Sequence, residues 1–457
     1  MGSVVAPRLP VAAARPGSVA AELSPLPELG EQTVAWFRGA ITGADADLVA
    51  RTIRAGVEAG VPIVGIVERM GLDAPGGLAA LGAWGRIAHE LARASGVVPT
   101  AMVVDGPCLG GPAIAVGLSD LVVMTERAAL FVNGAEASAR MTGTEGIDPE
   151  QLGDAWSHQT RSGVADIAVA DVSEALAAVG DVLSFLPPNS MEPAPREPVI
   201  DAPDRRCTKA AKAVPSNERE SYDVRHVITD LLDDRWFVEL RPRFGSSLVV
   251  GFGRIAGLTV GIVANQPSQL AGALDIESSI KGARFVRWCD SFNVPLLTLV
   301  DTPGFRPGRD QEWRGIVRHG AKLAFAYAEA TVPRVCVVLR KAYGGAYIVM
   351  DCKAMGNDCA LAWPQAEIAV MGAKGAVEIV HRRAILAADE SNRDALRQQL
   401  EDEYAVEHLS PRVAAERGFV DEIVDPPDTR LVVAEALLAL TTKRERPVRR
   451  RHENVPL

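Results

Sequence analysis

Val98-Pro-Thr-Ala-Met-Val-Val104 is a short, apolar run that leads into Gly110-Gly111. The pattern returns as Val332-Pro-Arg-Val-Cys-Val-Val338, leading into Gly344-Gly345. From proline to first glycine is 11 residues in both copies, so no gap is needed. Runs of this length, β-branched and bounded by turn residues, read as buried strands. Upstream, Val61-Pro-Ile-Val-Gly-Ile-Val-Glu68 is repeated 233 residues later as Val294-Pro-Leu-Leu-Thr-Leu-Val-Asp301. Each of these is followed by a Gly/Pro-rich loop, residues 69–77 and 302–310, and then by a helix-like stretch. Self-similarity on this scale marks a duplicated unit. Strands alternating with helical segments give an α/β fold with largely parallel pairing.

Between the copies, residues 186–220 are polar and rich in proline, which reads as a linker or a belt on the surface. The expected organisation is a flexible tail over residues 1–45, rich in Ala and Pro at its start, and a first domain over 46–190. A linker over 191–220 and a second domain over 221–457 complete it.

Composition narrows the function. Hydrophobic residues make up 48% and charged residues 23%, as in a globular enzyme. A formal net charge of −10 argues against a surface built to neutralise phosphate backbones. No apolar run reaches the ~18 residues that span a bilayer, and the start lacks the apolar core of a secretory signal. These features place the chain in the cytoplasm, and the excess of arginine over lysine suggests a bacterium. The six cysteines form no C-x-x-C pair, so zinc-ribbon spacing is absent and reduced, buried thiols are expected. The seven histidines show no metal-ligand spacing, and no metal is expected in this chain. Phosphate-cradling G-x-x-x-x-G-K-[ST] and nucleophile-elbow G-x-S-x-G motifs are missing.

What remains is the glycine pair itself. Glycines between a strand and a helix let backbone N–H groups approach a ligand, because no Cβ intervenes. At a helix start those donors carry the positive end of the helix dipole. Such a pair can hold an oxyanion, including the enolate oxygen of a thioester. A Gly-Gly turn alone is weak support, since it can be purely structural; its recurrence at equivalent places of a duplication favours chemistry.

From about residue 97 onward the chain resembles the carboxyltransferase (β) subunits of biotin-dependent acyl-CoA carboxylases, the propionyl-CoA and acetyl-CoA type. The segments that carry this are Gly106-Pro-Cys-Leu-Gly-Gly111, Gly261-Ile-Val-Ala-Asn-Gln-Pro267, Val300-Asp-Thr-Pro-Gly-Phe305 and Arg340-Lys-Ala-Tyr-Gly-Gly-Ala-Tyr347. Ala362-Trp-Pro364, Ala369-Val-Met-Gly-Ala-Lys-Gly-Ala376 and the terminal His452-Glu-Asn-Val-Pro-Leu457 add to them. The resemblance implies two tandem crotonase-like (ClpP/crotonase) domains. It also implies transfer of a carboxyl group from carboxybiotin, carried on a separate protein, to the α-carbon of an acyl-CoA. By motif position, Gly110 and Gly111 would hold the acyl enolate, and Gly345 with Ala346 the biotin enolate. Gly344, Tyr347, Ile348, Gly71, Gly372 and Ala373 would line the substrates, with Ile348 at the position that separates acetyl- from propionyl-preferring members. Family sites form between the first domain of one subunit and the second of another, so the resemblance implies a homo-oligomer, a hexamer. Neither an ATP-grasp-like loop nor a Met-Lys-Met biotinylation site is present, so a biotin carboxylase and carrier (α) subunit is the implied partner.

The chain also departs from the family. The region before Val61 reads as shortened, so early strands are expected to be missing. After the first strand, Arg69-Met70-Gly71-Leu72-Asp73 stands where Ser-Gly-Gly-Ala-Arg is usual, and Pro112 stands where a small residue with an N–H is usual. Two other readings stay open: a decarboxylase or transcarboxylase subunit using the same domains, and a non-catalytic scaffold that joins a competent paralogue.

Overall fold

A computed structural model describes residues 19–71, 77–143, 149–217, 220–445 and 451–456. The chain divides into two compact units. The first holds residues 1–195 with short insertions from Leu240–Phe244 and Ser291–Asn293, and the second holds the remainder from Arg196 onward.

The first unit is built on β1 (Ala20–Pro25), β2 (Thr33–Ile41), β3 (Ile63–Met70), β4 (Thr100–Val104), β5 (Pro107–Leu109), β6 (Leu121–Thr125), β7 (Ala129–Phe131) and β8 (Ile167–Val169). The strand order is β1-β2-β3-β4-β6-β8, and β5 leaves this path to pair with β3 and β7. Only β1–β2 is antiparallel. Helices α1 (Ala46–Ala59) and α2 (Gly77–Ala94) lie on either side of β3 in sequence, while α3 (Gly111–Val116) starts at the glycine pair. The core joins both helices to the strands through Val49, Ile53, Trp84, Ile87, Ile63, Val67 and Phe37.

This corrects two expectations. Residues 20–41 are no tail: β1 and β2 are integral to the sheet, β2 pairs with β3 over Ala35↔Ile63 to Ile41↔Met70, and Phe37 is wholly buried. The early strands are therefore present. Their alternation is partly masked because β2 carries Trp36 and Arg38 on its less buried side.

The second unit repeats the plan. It contains β9 (Phe237–Leu240), β10 (Leu248–Ile255), β11 (Leu258–Asn265), β12 (Leu296–Thr302), β13 (Arg334–Tyr343), β14 (Cys359–Ala362), β15 (Glu367–Ala369) and β16 (Glu422–Ile423). Their order is β16-β14-β13-β12-β11-β10-β9, with β15 paired to the far end of β13. The long β13 does the work of β4 and β5 together. Its first half pairs with β14, its second half with β15, and a register shift against β12 falls between the two. Helices α4 (Ile276–Ser291), α5 (Ile316–Glu329), α6 (Gly344–Val349) and α7 (Ala373–Val380) follow in chain order.

The expected linker is also corrected in its second half. Cys207, Ala210 and Val214 are buried in the core of the second unit beside Val227 and Leu231. Asp230 accepts the Lys209 and Ala210 N–H groups at 2.9 Å each, which fastens the segment there. All six cysteines are free thiols, five of them buried. No helix among the described residues is long and apolar enough to cross a membrane.

Candidate active site

Each unit places its Gly-Gly pair where a strand gives way to a short helix. In the first unit the pair joins β5 to α3. Gly110 has φ 78° and ψ −146°, a conformation that L side chains rarely adopt. Its N–H donates to the Phe131 carbonyl at 3.0 Å, and its own carbonyl accepts from Ala113 N–H at 3.0 Å. Gly110 is thus a shaped turn rather than a free donor, which corrects its expected role. Pro112 has no N–H to offer, and helix geometry leaves the Gly111 N–H without an intrahelical acceptor. Gly111 is exposed and nothing lies within 4 Å of where its Cβ would be. This turn therefore offers one outward donor, at Gly111.

The turn is held against β3 by a tight approach. A Cβ on Gly106 would meet the Glu68 carbonyl oxygen at 2.1 Å, so no other residue fits between β4 and β5. Met70 pairs with Cys108, which sets Gly71 beside this strand end. Met70 itself is buried in the core of the first unit. Leu72 and Asp73 lie outside the described residues. At the start of β5, beside Gly106 and Pro107, a cavity of about 700 Å³ opens among Arg38, Glu68, Asp105, Arg127 and Asp171. Both arginines there are committed to carboxylates, Arg38 to Glu68 at 2.9 Å and Arg127 to the buried Asp105.

In the second unit Gly344, at φ 58°, makes the turn, and a Cβ there would come to 3.0 Å from the Val370 carbonyl. Gly345 is not so constrained: its Cβ would touch only the Phe305 ring, at 3.7 Å. Gly345 and the fully buried Ala346 stand in the first turn of α6, where N–H groups have no intrahelical acceptor. Phe305 is placed by the loop after β12, through Leu274 N–H to the Gly304 carbonyl (3.1 Å) and Arg306 N–H to the Leu274 carbonyl (2.7 Å). Gly372 ends the β15 loop against the Tyr343 ring, 3.2 Å from where its Cβ would be, and Ala373 opens α7. Tyr343 in turn donates its hydroxyl to Glu367. Tyr347 is buried, and burial pushes its phenol well above the usual range. Ile348 is 50% exposed, so it is a surface residue of its own unit and not part of that core.

Beneath this turn lies a group that the motifs contain without announcing. Asp301, at the end of β12, accepts from Tyr222 Oη at 2.9 Å, Arg340 Nε at 3.0 Å and Lys341 N–H at 3.2 Å. The Arg340 guanidinium also sits 5.2 Å from the Tyr222 ring centroid. Burial raises the Asp301 carboxyl, while Arg340 and the Tyr222 hydroxyl pull it back. Both strand ends that present Phe305 and Gly345 are locked together by this one carboxylate. Asp301 and Arg340 were visible as motif residues, but their convergence with Tyr222 depends on the sheet register and could not be read from spacing.

A carboxyl transferase domain model matches residues 29–455. The propionyl-CoA carboxylase beta chain of Saccharopolyspora erythraea is 44% identical over 432 residues, covering 92% of this chain and 79% of that one. The biotin-dependent acetyl-/propionyl-coenzyme A carboxylase beta5 subunit of Mycobacterium tuberculosis is 42% identical over 431 residues, with 92% and 78% covered. Among solved structures, the transcarboxylase 12S hexamer with methylmalonyl-coenzyme A and methylmalonic acid bound superposes with a TM-score of 0.92. It is 38% identical, with 96% of this chain and 84% of that one covered. A single-chain, multi-domain long-chain acyl-CoA carboxylase gives a TM-score of 0.76 at 27% identity, with 92% and 41% covered.

Proposed function

The chain belongs to the carboxyl transferase family and has its tandem crotonase-like fold, and on that premise we propose how its two glycine turns divide the reaction. It is the carboxyltransferase subunit of a biotin-dependent acyl-CoA carboxylase, taking a short acyl-CoA such as acetyl- or propionyl-CoA. One observation carries the reading: a strand, a positive-φ glycine and a free-donor helix start recur at matching places of two sheets.

Carboxybiotin, when bound, supplies the carboxyl group and the basic nitrogen that takes the α-proton. The residues present fit its ureido oxygen, because the first turn of α6 offers the Gly345 and Ala346 N–H groups with no Cβ at Gly345. On the other side, the Gly111 N–H holds the thioester oxygen as it gains negative charge. Gly110 keeps that donor aimed by spending its own N–H on Phe131. A single oxyanion donor is worth roughly 10²–10³ in rate. Tyr347, Gly372, Ala373 and Gly71 line the two halves, and the half-exposed Ile348 presents an apolar face to the acyl end. We place the chain in a homo-hexamer that works with a separate biotin carboxylase and carrier subunit.

The test is ATP-dependent carboxylation of an acyl-CoA panel after the chain is combined with its biotin-bearing partner. Activity should appear only in the combination. Ile348→Asp puts a strongly hydrated group at an apolar contact and should lower the ratio of acetyl- to propionyl-CoA use several-fold. An unchanged ratio removes Ile348 from the site, and robust ATP-dependent carboxylation without any partner contradicts the division of labour. The 12S likeness favours one second reading, a transcarboxylase subunit; its mark would be transfer of the carboxyl group from a carboxylated acyl-CoA through biotin to a second acceptor, without ATP or bicarbonate.

A further inference from the structure

The first-unit turn rests on slender support. Strands β5 and β7 are three residues each, and β5 meets β3 through the single Met70↔Cys108 pair. The outer strand, β7, pairs with β5 alone. Yet β7 supplies the Phe131 carbonyl that fixes Gly110. Something must hold β7 from its far side.

That side is closed by a short π-helical segment, His158–Ser162. π-Turns are rare and recur at functional sites. The His158 ring reaches back to β7, with Nε2 2.5 Å from the Leu130 carbonyl and Nδ1 2.6 Å from Ser162 Oγ. A carbonyl can only accept, so Nε2 carries the proton and Nδ1 accepts from the Ser162 hydroxyl. Leu130 immediately precedes Phe131, so the histidine bonds one carbonyl and Gly110 the next. The chain before the π-turn is pressed equally close. A Cβ on Gly153 would fall 2.4 Å from the same Leu130 carbonyl, and Asp154 bridges to Ala129.

The arrangement has a counterpart in the second unit. There the other π-turn, Ala405–Leu409, packs against β15, the strand equivalent to β7. Its histidine, His408, turns instead to the Tyr404 ring at 4.6 Å. The histidine bond to β7 is thus a feature of the first unit.

We propose that His158 is a positioning residue for the acyl side: by bonding Leu130 it clamps β7, and through Phe131 it fixes the Gly110 turn that aims the Gly111 donor. This rests on the reading of Gly110-Gly111 as the acyl-side turn. Burial lowers the imidazole pKa, in line with the neutral ring that the Leu130 and Ser162 contacts require.

Two variants of the full chain separate the parts. His158→Asn keeps a polar amide but is too short to reach Leu130, whereas His158→Gln can place an amide N–H near the position of Nε2. Hydrogen exchange at the Gly110 amide reports the clamp, with the Met350 amide of the second unit as internal control. Steady-state kinetics of the chain assembled with its partner report the chemistry. In His158→Asn, Gly110 exchange should accelerate at least tenfold with Met350 unchanged. The kcat should fall about tenfold or more while KM for acyl-CoA stays within about twofold. His158→Gln should restore both. Unaccelerated exchange at Gly110 in the Asn variant, or a Gln variant as impaired as Asn, overturns the proposal. Accelerated exchange with kcat intact would leave the clamp standing and overturn the acyl-side reading of the turn instead.

Discussion

In both glycine pairs it is the first member that the backbone requires, and the proposed chemistry falls to the second. Gly110 and Gly344 sit at φ 78° and 58°, where a Cβ costs of order 1–3 kcal/mol. Gly111 and Gly345 have no such strain, and Gly345 has only the Phe305 ring nearby. Alanine should therefore sort them. Gly110→Ala and Gly344→Ala should lower thermal stability and activity together, while Gly111→Ala and Gly345→Ala should melt like the native chain. Gly345→Val differs again, because its branch projects where the ligand must approach; carboxyl transfer should fall about 10² or more in a folded protein. Circular dichroism melts alongside turnover decide this, and a folded Gly345→Val with native turnover would make the second pair a mere turn. The sequence revealed the pairs and their spacing. It could not reveal which glycine donates, because that depends on whether a carbonyl such as Phe131 has already taken the N–H.

At the scale of elements, the repeat of two strands around each glycine pair could be read directly, since buried parallel strands are continuous apolar runs. β3, β4, β12 and β13 fall where those runs stand. β1 and β2 were missed for the same physical reason in reverse. As the edge pair of the sheet they are only half buried, and Trp36 and Arg38 interrupt the apolar signal. Their importance is testable. Phe37 is completely buried among the core residues, and aromatic-to-alanine changes in cores cost about 3–5 kcal/mol. Phe37→Ala should shift chemical denaturation of the chain by that amount, whereas a dispensable tail would leave the midpoint unmoved. The segment around Cys207 to Val214 taught a related lesson. Prolines and charges marked it as a linker, but Ala210 and Val214 are small apolar residues at the spacing of one helical face, and they are buried.

At the scale of the molecule, each unit carries exposed apolar side chains that a lone chain would leave in water. In the first these include Leu78, Met141 and Trp156; in the second, Val370, Ile379, Val380 and Val406. In the proposed homo-oligomer, such side chains are where copy would pack against copy. The chain is a transferase between biotin and an acyl-CoA, and that half-reaction has no need of ATP. Its most direct test uses the purified oligomer, free biotin and malonyl- or methylmalonyl-CoA, following loss of the carboxyl group from the thioester. Biotin-dependent decarboxylation or transfer should occur without ATP or partner, and should fall about 10² or more in Gly345→Val. A folded, oligomeric chain that moves no carboxyl group under these conditions, with either thioester, would contradict it.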